Sequence, residues 1–218
     1  MTRTALVAGG SGLVGGHVVR LLLEDREYER VTVLGRRELP LTHRKLVQQV
    51  VDFDHLAAHT AFPRVHDVFC CLGTTMRTAG SRDAFRRVDY EYVSELARVA
   101  ARHRAAQFLL VSSLGADPRS RVFYNRVKGE AEAAVRRAAF DGAHIFRPSL
   151  LVGARPERRP GERIAIVLSR TIAWAMVGPL RRYRPIPAAL VARAMVRVAA
   201  AAARGTHVYE SGDIWRLC

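Results

Sequence analysis

Tyr124 and Lys128 stand four residues apart in the run Tyr124-Asn125-Arg126-Val127-Lys128, so on a helix they share one face. Lys128 is one of only two lysines in a chain that otherwise uses Arg, the other being Lys45. An ammonium beside a phenol lowers the phenol pKa from its ordinary value of about 10. A phenol tuned in this way can exchange a proton with a carbonyl or alcohol oxygen. Eleven residues before Tyr124 lies Ser113, in Val111-Ser112-Ser113-Leu114-Gly115. Its hydroxyl is placed to hold that oxygen while the proton moves. Tyr124, Lys128 and Ser113 are therefore the candidate catalytic residues.

Proton exchange with a carbonyl or alcohol needs a partner that takes or gives hydride, and the N-terminal segment suggests one. The run Gly9-Gly10-Ser11-Gly12-Leu13-Val14-Gly15 follows a β-branched stretch and opens an amphipathic pattern containing Val18, Val19, Leu21 and Leu22. Glycines at this spacing let the backbone approach a pyrophosphate, and the free N–H groups of a helix N-terminus attract its charge. Gly9, Ser11, Gly12, Leu13, Val14 and Gly15 are thus candidate dinucleotide-binding residues. Twenty-one residues beyond Gly15 the chain reads Val33-Leu34-Gly35-Arg36-Arg37. A carboxylate at this place selects a ribose 2′-hydroxyl, whereas arginine accommodates a 2′-phosphate. Arg36, with Arg37, therefore predicts NADP(H) in preference to NAD. Further along, Asp52 and Phe53 end a third strand, where Asp52 can accept from the adenine amino group. Leu72, Gly73 and Thr74 end a fourth, where Gly73 lets the backbone pass close to the cofactor and Thr74 and Thr75 can hydrogen-bond it. Tyr124 and Lys128 complete this set, since Lys128 can also grip the nicotinamide ribose.

The elements that must position these residues follow from hydrophobic periodicity. Short β-branched runs at 4–8, 31–35, 46–51, 67–72, 108–112 and 144–147 alternate with helical patterns, clearest at 12–24, 84–103 and 122–139. This order predicts an α/β chain: a Rossmann-type doubly wound parallel sheet with a small loop-rich substrate lobe near the C-terminus. Residues 153–187 are punctuated by proline and glycine and read as a substrate-side insert or lid. A final helix over 188–203, with Val191, Ala194, Met195 and Val198 on one face, and a strand over 206–210 close the pattern. The whole of 1–218 is expected to form one NAD(P)-binding domain.

Together the motifs resemble an atypical short-chain dehydrogenase/reductase, and more narrowly the NAD(P)-binding oxidoreductase group that includes the Tat-interacting tumour-suppressor protein and its bacterial relatives. The residues that carry the resemblance are Gly9 to Gly15, Leu34-Gly35-Arg36-Arg37, Val51-Asp52-Phe53 and Cys70-Cys71-Leu72-Gly73-Thr74-Thr75. To these are added Val88-Asp89, Ser112-Ser113 with Gly115-Ala116-Asp117, Tyr124 with Val127-Lys128-Gly129-Glu130, and Phe146-Arg147-Pro148. The resemblance implies NADP(H) as cofactor and places Arg147 and Pro148 beside its nicotinamide end. The chain departs from the fuller catalytic pattern at Asp89, where many such enzymes carry an Asn that supports a proton relay. A carboxylate cannot donate as the amide does. The expected function is an NADP(H)-dependent reductase or dehydrogenase acting on a carbonyl/alcohol substrate. The alternative is an NADP(H)-binding regulatory or redox-sensing protein.

Composition narrows the remaining classes. The formal charge is +15, yet all but two of the 35 basic residues are Arg and no run of five or six like charges stands out. This describes a basic solvated surface rather than a specific nucleic-acid site. The most apolar late stretch, 164–180, contains Arg170 and falls short of a membrane span. No signal-peptide pattern opens the chain, so a cytoplasmic protein is expected. Three cysteines offer no disulfide framework, and Cys70 and Cys71 read as packing residues. His55 and His59 have helical spacing but lack the companions of a metal motif, so no metal is expected. Trp174 and Trp215 read as packing residues, and Arg155, Arg158, Arg159 and Arg163 as loop arginines bordering the substrate side. A monomer or homodimer is expected.

Overall fold

The computed structural model describes residues 2–58, 62–153 and 183–218. Most of the expected insert, with Trp174 and the four arginines from Arg155 to Arg163, lies outside the described residues, as does His59. The regular elements are β1 (Arg3–Ala8), α1 (Leu13–Glu24), β2 (Tyr28–Gly35), β3 (Leu46–Val50), a 3-10 segment (Phe53–Ala58) and β4 (Asp67–Cys70). They continue with α2 (Met76–Ala79), α3 (Arg82–Arg86), a π-helical turn (Arg87–Glu91), α4 (Tyr92–Arg102), β5 (Gln107–Val111), α5 (Phe123–Arg137) and β6 (Gly142–Arg147). After β7 (Leu151–Val152) and β8 (Ile186–Pro187) come α6 (Ala188–Ala201), β9 (Gly205–Glu210) and α7 (Ser211–Arg216).

Seven strands form one sheet in the order β3-β2-β1-β4-β5-β6-β9, and neighbouring strands pair in parallel. The expected Rossmann-type sheet is therefore present. Strand β1 shows why both faces must be covered. Ala5 and Val7 join one buried cluster with Val14, Val18, Leu22, Val191 and Met195, while Leu6 and Ala8 join another with Leu96, Phe108 and Val135. Successive strand side chains point to opposite faces, so α1 and α6 cover one side and α4 and α5 the other. The apolar face expected for the last long helix is thus core, with Val191, Ala194 and Met195 fully buried. Trp215 departs from expectation. It is 47% exposed, because α7 is a short helix on the margin of the sheet that buries Ser211 and Ile214 instead.

The order reverses at β1. Connections run outward to β2 and β3 on one side and return through β4 to β5, β6 and β9 on the other. The carboxyl ends of β1 and β4 therefore flank the crevice in which such sheets take ligands.

The opposite end of the sheet carries a buried polar network. Asp67 accepts from Arg3, Tyr28 and Gln107 at 2.6, 2.8 and 2.7 Å. The Gln107 amide also donates to the Ala199 carbonyl at 3.0 Å, leaving its oxygen 3.1 Å from His144 Nε2. With Nε2–H donating, Nδ1 can accept from the Tyr209 hydroxyl at 3.3 Å. Burial, helped by His207, pushes the His144 pKa down from 6.5 to about 4, so the folded protein holds a neutral ring there. The unfolded chain takes up this proton first. Stability is therefore full above pH 6.5 and falls as pH drops toward 4, by about 3 kcal/mol at most from this group. Urea midpoints of the wild type should decline across that window, and His144→Gln should flatten this part of the decline. An equal decline in the variant would remove His144 as its source.

Candidate functional site

The turn after β1 is tightly specified by backbone contacts. Gly9 has φ +84°, and a Cβ there would lie 2.5 Å from the Cys71 carbonyl oxygen at the end of β4. A Cβ on Gly15 would lie 2.2 Å from the Gly9 carbonyl oxygen. The first glycine thus lets the turn touch β4, and the third lets α1 begin directly beneath it. Gly12 is the N-cap of α1, makes no side-chain cap and is followed by no acidic residue in the first turn. The unpaired N–H groups and positive end of this twelve-residue helix face an uncapped turn, with Ser11 exposed and Leu13 and Val14 opening the helix. Such a cradle suits an anionic group held by backbone N–H donors.

Arg36 and Arg37 leave the carboxyl end of β2 and are both exposed. Arg36 makes no ion pair with a described residue. At the next strand end, Asp52 is mostly exposed and accepts from the Asp54 N–H at 3.0 Å. Phe53 is buried and stacks on Tyr92, ring centroids 5.5 Å apart. Thr75 spends its hydroxyl on capping α2 through the Thr78 N–H, at 3.1 Å.

At the end of β4 the chain meets α5. Lys128 Nζ lies 2.7 Å from Asp89 Oδ1, with the two side chains 8% and 0% exposed. The other Asp89 oxygen accepts from the Thr74 N–H at 2.8 Å. A Cβ on Gly73 would sit 3.3 Å from Asp89 Oδ1 and 3.5 Å from Lys128 Nζ. Burial pulls the Lys128 pKa down, but Asp89, with Tyr124 beside it, more than offsets this and leaves it above the ordinary lysine value. The structure thus delivers a buried ammonium to the crevice edge and balances it with a carboxylate. Tyr124 is half-buried, its ring 5.2 Å from that of Phe85.

Ser113 follows the carboxyl end of β5. Its Oγ is buried and makes no hydrogen bond with a described residue. An unpartnered buried hydroxyl is costly, and a ligand oxygen would relieve it. Ser112 turns the other way and donates to Glu132 Oε1 at 2.6 Å. Glu132 also receives Arg147 Nε at 2.9 Å and Nη2 at 2.6 Å. The Arg147 guanidinium is therefore committed to α5, and Pro148 contributes its carbonyl, 3.0 Å from the Leu114 N–H. Gly129 explains why the loop after β5 can cross α5: a Cβ there would lie 2.2 Å from the Asp117 carbonyl carbon and the Pro118 nitrogen.

Sequence reasoning overlooked Glu132 and took Asp89 for a lost amide rather than a partner of Lys128. A signal for Glu132 was present, because it lies four residues beyond Lys128 between the apolar positions Ala131 and Val135. Cys70 is buried, which pushes its thiol up to about 12, in keeping with packing. No helix of the described residues is long and apolar enough to cross a membrane.

Comparison with known proteins agrees with this geometry. A family described as NAD(P)H-binding matches residues 9–202. Protein HTATIP2 of Rattus norvegicus is 41% identical over 167 residues, covering 75% of this chain and 69% of its own. Protein FMP52, mitochondrial, of Coccidioides immitis is 34% identical, covering 94% and 89%. Among solved structures, MoeE5 in complex with UDP-glucose and NAD superposes with a TM-score of 0.71 at 19% identity, covering 94% of this chain and 74% of that one. The cytoplasmic expectation is corrected by these relatives, since FMP52 proteins from several fungi are named as mitochondrial; the absence of a signal-peptide pattern does not distinguish the two locations. With the glycine turn, the parallel sheet and its reversal point in agreement with the sequence match, the chain belongs to the NAD(P)H-binding family.

Proposed function

We propose that this protein is an NADP(H)-dependent oxidoreductase acting on a carbonyl/alcohol pair. The observation that carries the reading is the buried Lys128 ammonium at Gly73 and Thr74, on the crevice that the glycine turn borders from the other side. The residues present fit a dinucleotide: Gly9, Gly12 and Gly15 keep side chains out of the turn, and the first turn of α1 offers its N–H groups, with Ser11, Leu13 and Val14 around them. Arg36, with Arg37, takes the 2′-phosphate through charge-assisted bonds. Asp52 and Phe53 border the adenine, Leu72, Gly73 and Thr74 line the central stretch, and Lys128 holds the nicotinamide ribose. Arg147 serves this site indirectly, by fixing Glu132, with Pro148 tying the loops above it.

When bound, the reduced nicotinamide supplies the hydride that adds to the carbonyl carbon. Ser113 Oγ donates to the carbonyl oxygen and orients it. Tyr124 gives that oxygen its phenolic proton, which completes the alcohol, and is reprotonated from solvent. A second reading is a binding protein that senses NADP(H) without turnover. The Asp89–Lys128 pair favours it, because the ammonium is already engaged by a carboxylate at 2.7 Å.

Calorimetric titration with NADPH and NADH, on the wild type and Arg36→Ala, tests the cofactor assignment. Loss of a charge-assisted contact to the 2′-phosphate should weaken NADPH binding about 10- to 100-fold, toward the NADH level. Binding of neither nucleotide by the wild type would overturn both readings. Equal loss for both nucleotides would remove Arg36 as the selector. A screen of aldehydes and ketones, followed by NADPH absorbance, then separates enzyme from sensor.

A further inference from the structure

The Asp89–Lys128 pair is an unusual investment for a site that needs a cation. Taking two charges out of water is costly, and a buried pair is a poor source of stability compared with apolar residues of the same volume. Its value must lie in what it does to the crevice. Asp89 is fully buried on the π-helical turn that interrupts the helix over 82–102, and π-turns of this kind recur at functional positions. One carboxylate oxygen holds the ammonium, the other holds the Thr74 N–H. Three titratable groups face Lys128: Asp89 from the π-turn, Tyr124 from α5 itself and Cys70 from β4. Burial keeps the Cys70 thiol protonated, and Tyr124 is needed as a phenol. Asp89 is left as the counter-charge.

This matters because a nicotinamide ring is neutral when reduced and carries one positive charge when oxidised. A lone ammonium nearby would favour the reduced form, and a lone carboxylate the oxidised form. We infer that Asp89 sets the redox-state preference of the site, cancelling the charge of Lys128 so that oxidised and reduced cofactor bind with comparable affinity, while it positions the Thr74 turn. The inference rests on the reading that Lys128 holds the nicotinamide ribose. It assigns Asp89 a positioning and charge-balancing role in place of the missing relay amide.

Dissociation constants for NADPH and NADP+ test it through their ratio, without any turnover. In Asp89→Asn the preference for NADPH should rise about tenfold, the order expected for one unbalanced unit charge in a partly buried site. In Lys128→Met it should shift by a similar factor toward NADP+. A lone buried charge tends to neutralise itself through its pKa. The Asn variant is therefore compared with wild type at about pH 6, and the Met variant at about pH 8. The double variant Asp89→Asn/Lys128→Met carries neither charge and should return to within about twofold of the wild-type ratio. Should the Asn variant fail to fold, the Met and double variants still carry the sign. Proportional loss of both affinities with an unchanged ratio would overturn the charge-balancing role and leave the cofactor reading intact. A wild type that binds neither form overturns that reading, and this inference with it.

Discussion

Glu132→Ala is expected to lower the unfolding free energy by about 3–5 kcal/mol, a large share of the stability of a domain of this size. The Glu132 carboxylate is 3% exposed and receives Arg147 through two nitrogens as well as the Ser112 hydroxyl. Arg136 approaches it from the outer side at 3.4 Å. Removing the carboxylate leaves a largely covered guanidinium and a buried hydroxyl without partners, and that is where the loss arises. The hydrogen bond to Glu132 holds the Arg147 pKa above its ordinary value. Once that bond is gone the guanidinium still keeps its charge, because arginine does not deprotonate in proteins, so it cannot escape the penalty. Replacing both charged residues, as in Glu132→Met/Arg147→Leu, should recover most of the loss, because no buried charge is then stranded. Urea denaturation followed by circular dichroism reads both values. A single variant within about 1 kcal/mol of the wild type, or a double variant no more stable than the single one, would show that the carboxylate does not act as this clamp.

The clamp also reaches the candidate site. Glu132 and Lys128 lie one turn apart on α5, and Tyr124 lies a further turn before them. Glu132 fixes this helix to the ends of β5 and β6 through Ser112 and Arg147. Ser113 therefore has its place set through its neighbour, and its own hydroxyl stays available. Two interior carboxylates thus divide the work on α5, Glu132 anchoring the helix to the sheet and Asp89 holding the Lys128 ammonium.

How much of this was readable in the sequence depends on the kind of signal. The glycine turn was legible because its demand is local: Gly9 and Gly15 have no room for a Cβ, and their spacing survives in the sequence as a motif. The sheet was legible because strands buried on both faces read as short apolar runs between helical patterns. The helix expected over 84–103 was legible as a helix but not as α3, a π-turn and α4, because one extra residue per turn barely disturbs a 3.6-residue period over so short a stretch. That turn buries Asp89, so its partnership with Lys128 was hidden as well. Asp89 and Glu132 share a second obstacle. A carboxylate on a helix normally marks the solvated face, and only the folded chain brings the ammonium and guanidinium that make burial tolerable. The resemblance placed Arg147 beside the nicotinamide, and no local pattern reveals that Glu132 engages it.

The proposed proton donor gives the other large effect. Tyr124→Phe should lower kcat by about 10²- to 10⁴-fold, the usual contribution of a positioned general acid or base, on whichever carbonyl substrate the screen identifies. The substitution deletes one oxygen and keeps the ring against Phe85. The Tyr124 hydroxyl makes no hydrogen bond with a described residue, so the fold loses nothing at that atom and the melting temperature should stay close to that of the wild type. Lys128 and Asp89 also remain, so the NADPH dissociation constant should change by less than about twofold. This combination separates chemistry from binding, because an interaction made only in the transition state lowers kcat and kcat/KM together and leaves cofactor affinity alone. A fall in turnover accompanied by an equal fall in NADPH affinity would instead assign Tyr124 to the ribose. Retained turnover in the variant would remove it as the acid. A wild type that binds NADPH tightly, turns over no carbonyl and is indifferent to Tyr124→Phe would favour the sensor reading, in which the ammonium balanced by Asp89 serves cofactor binding alone.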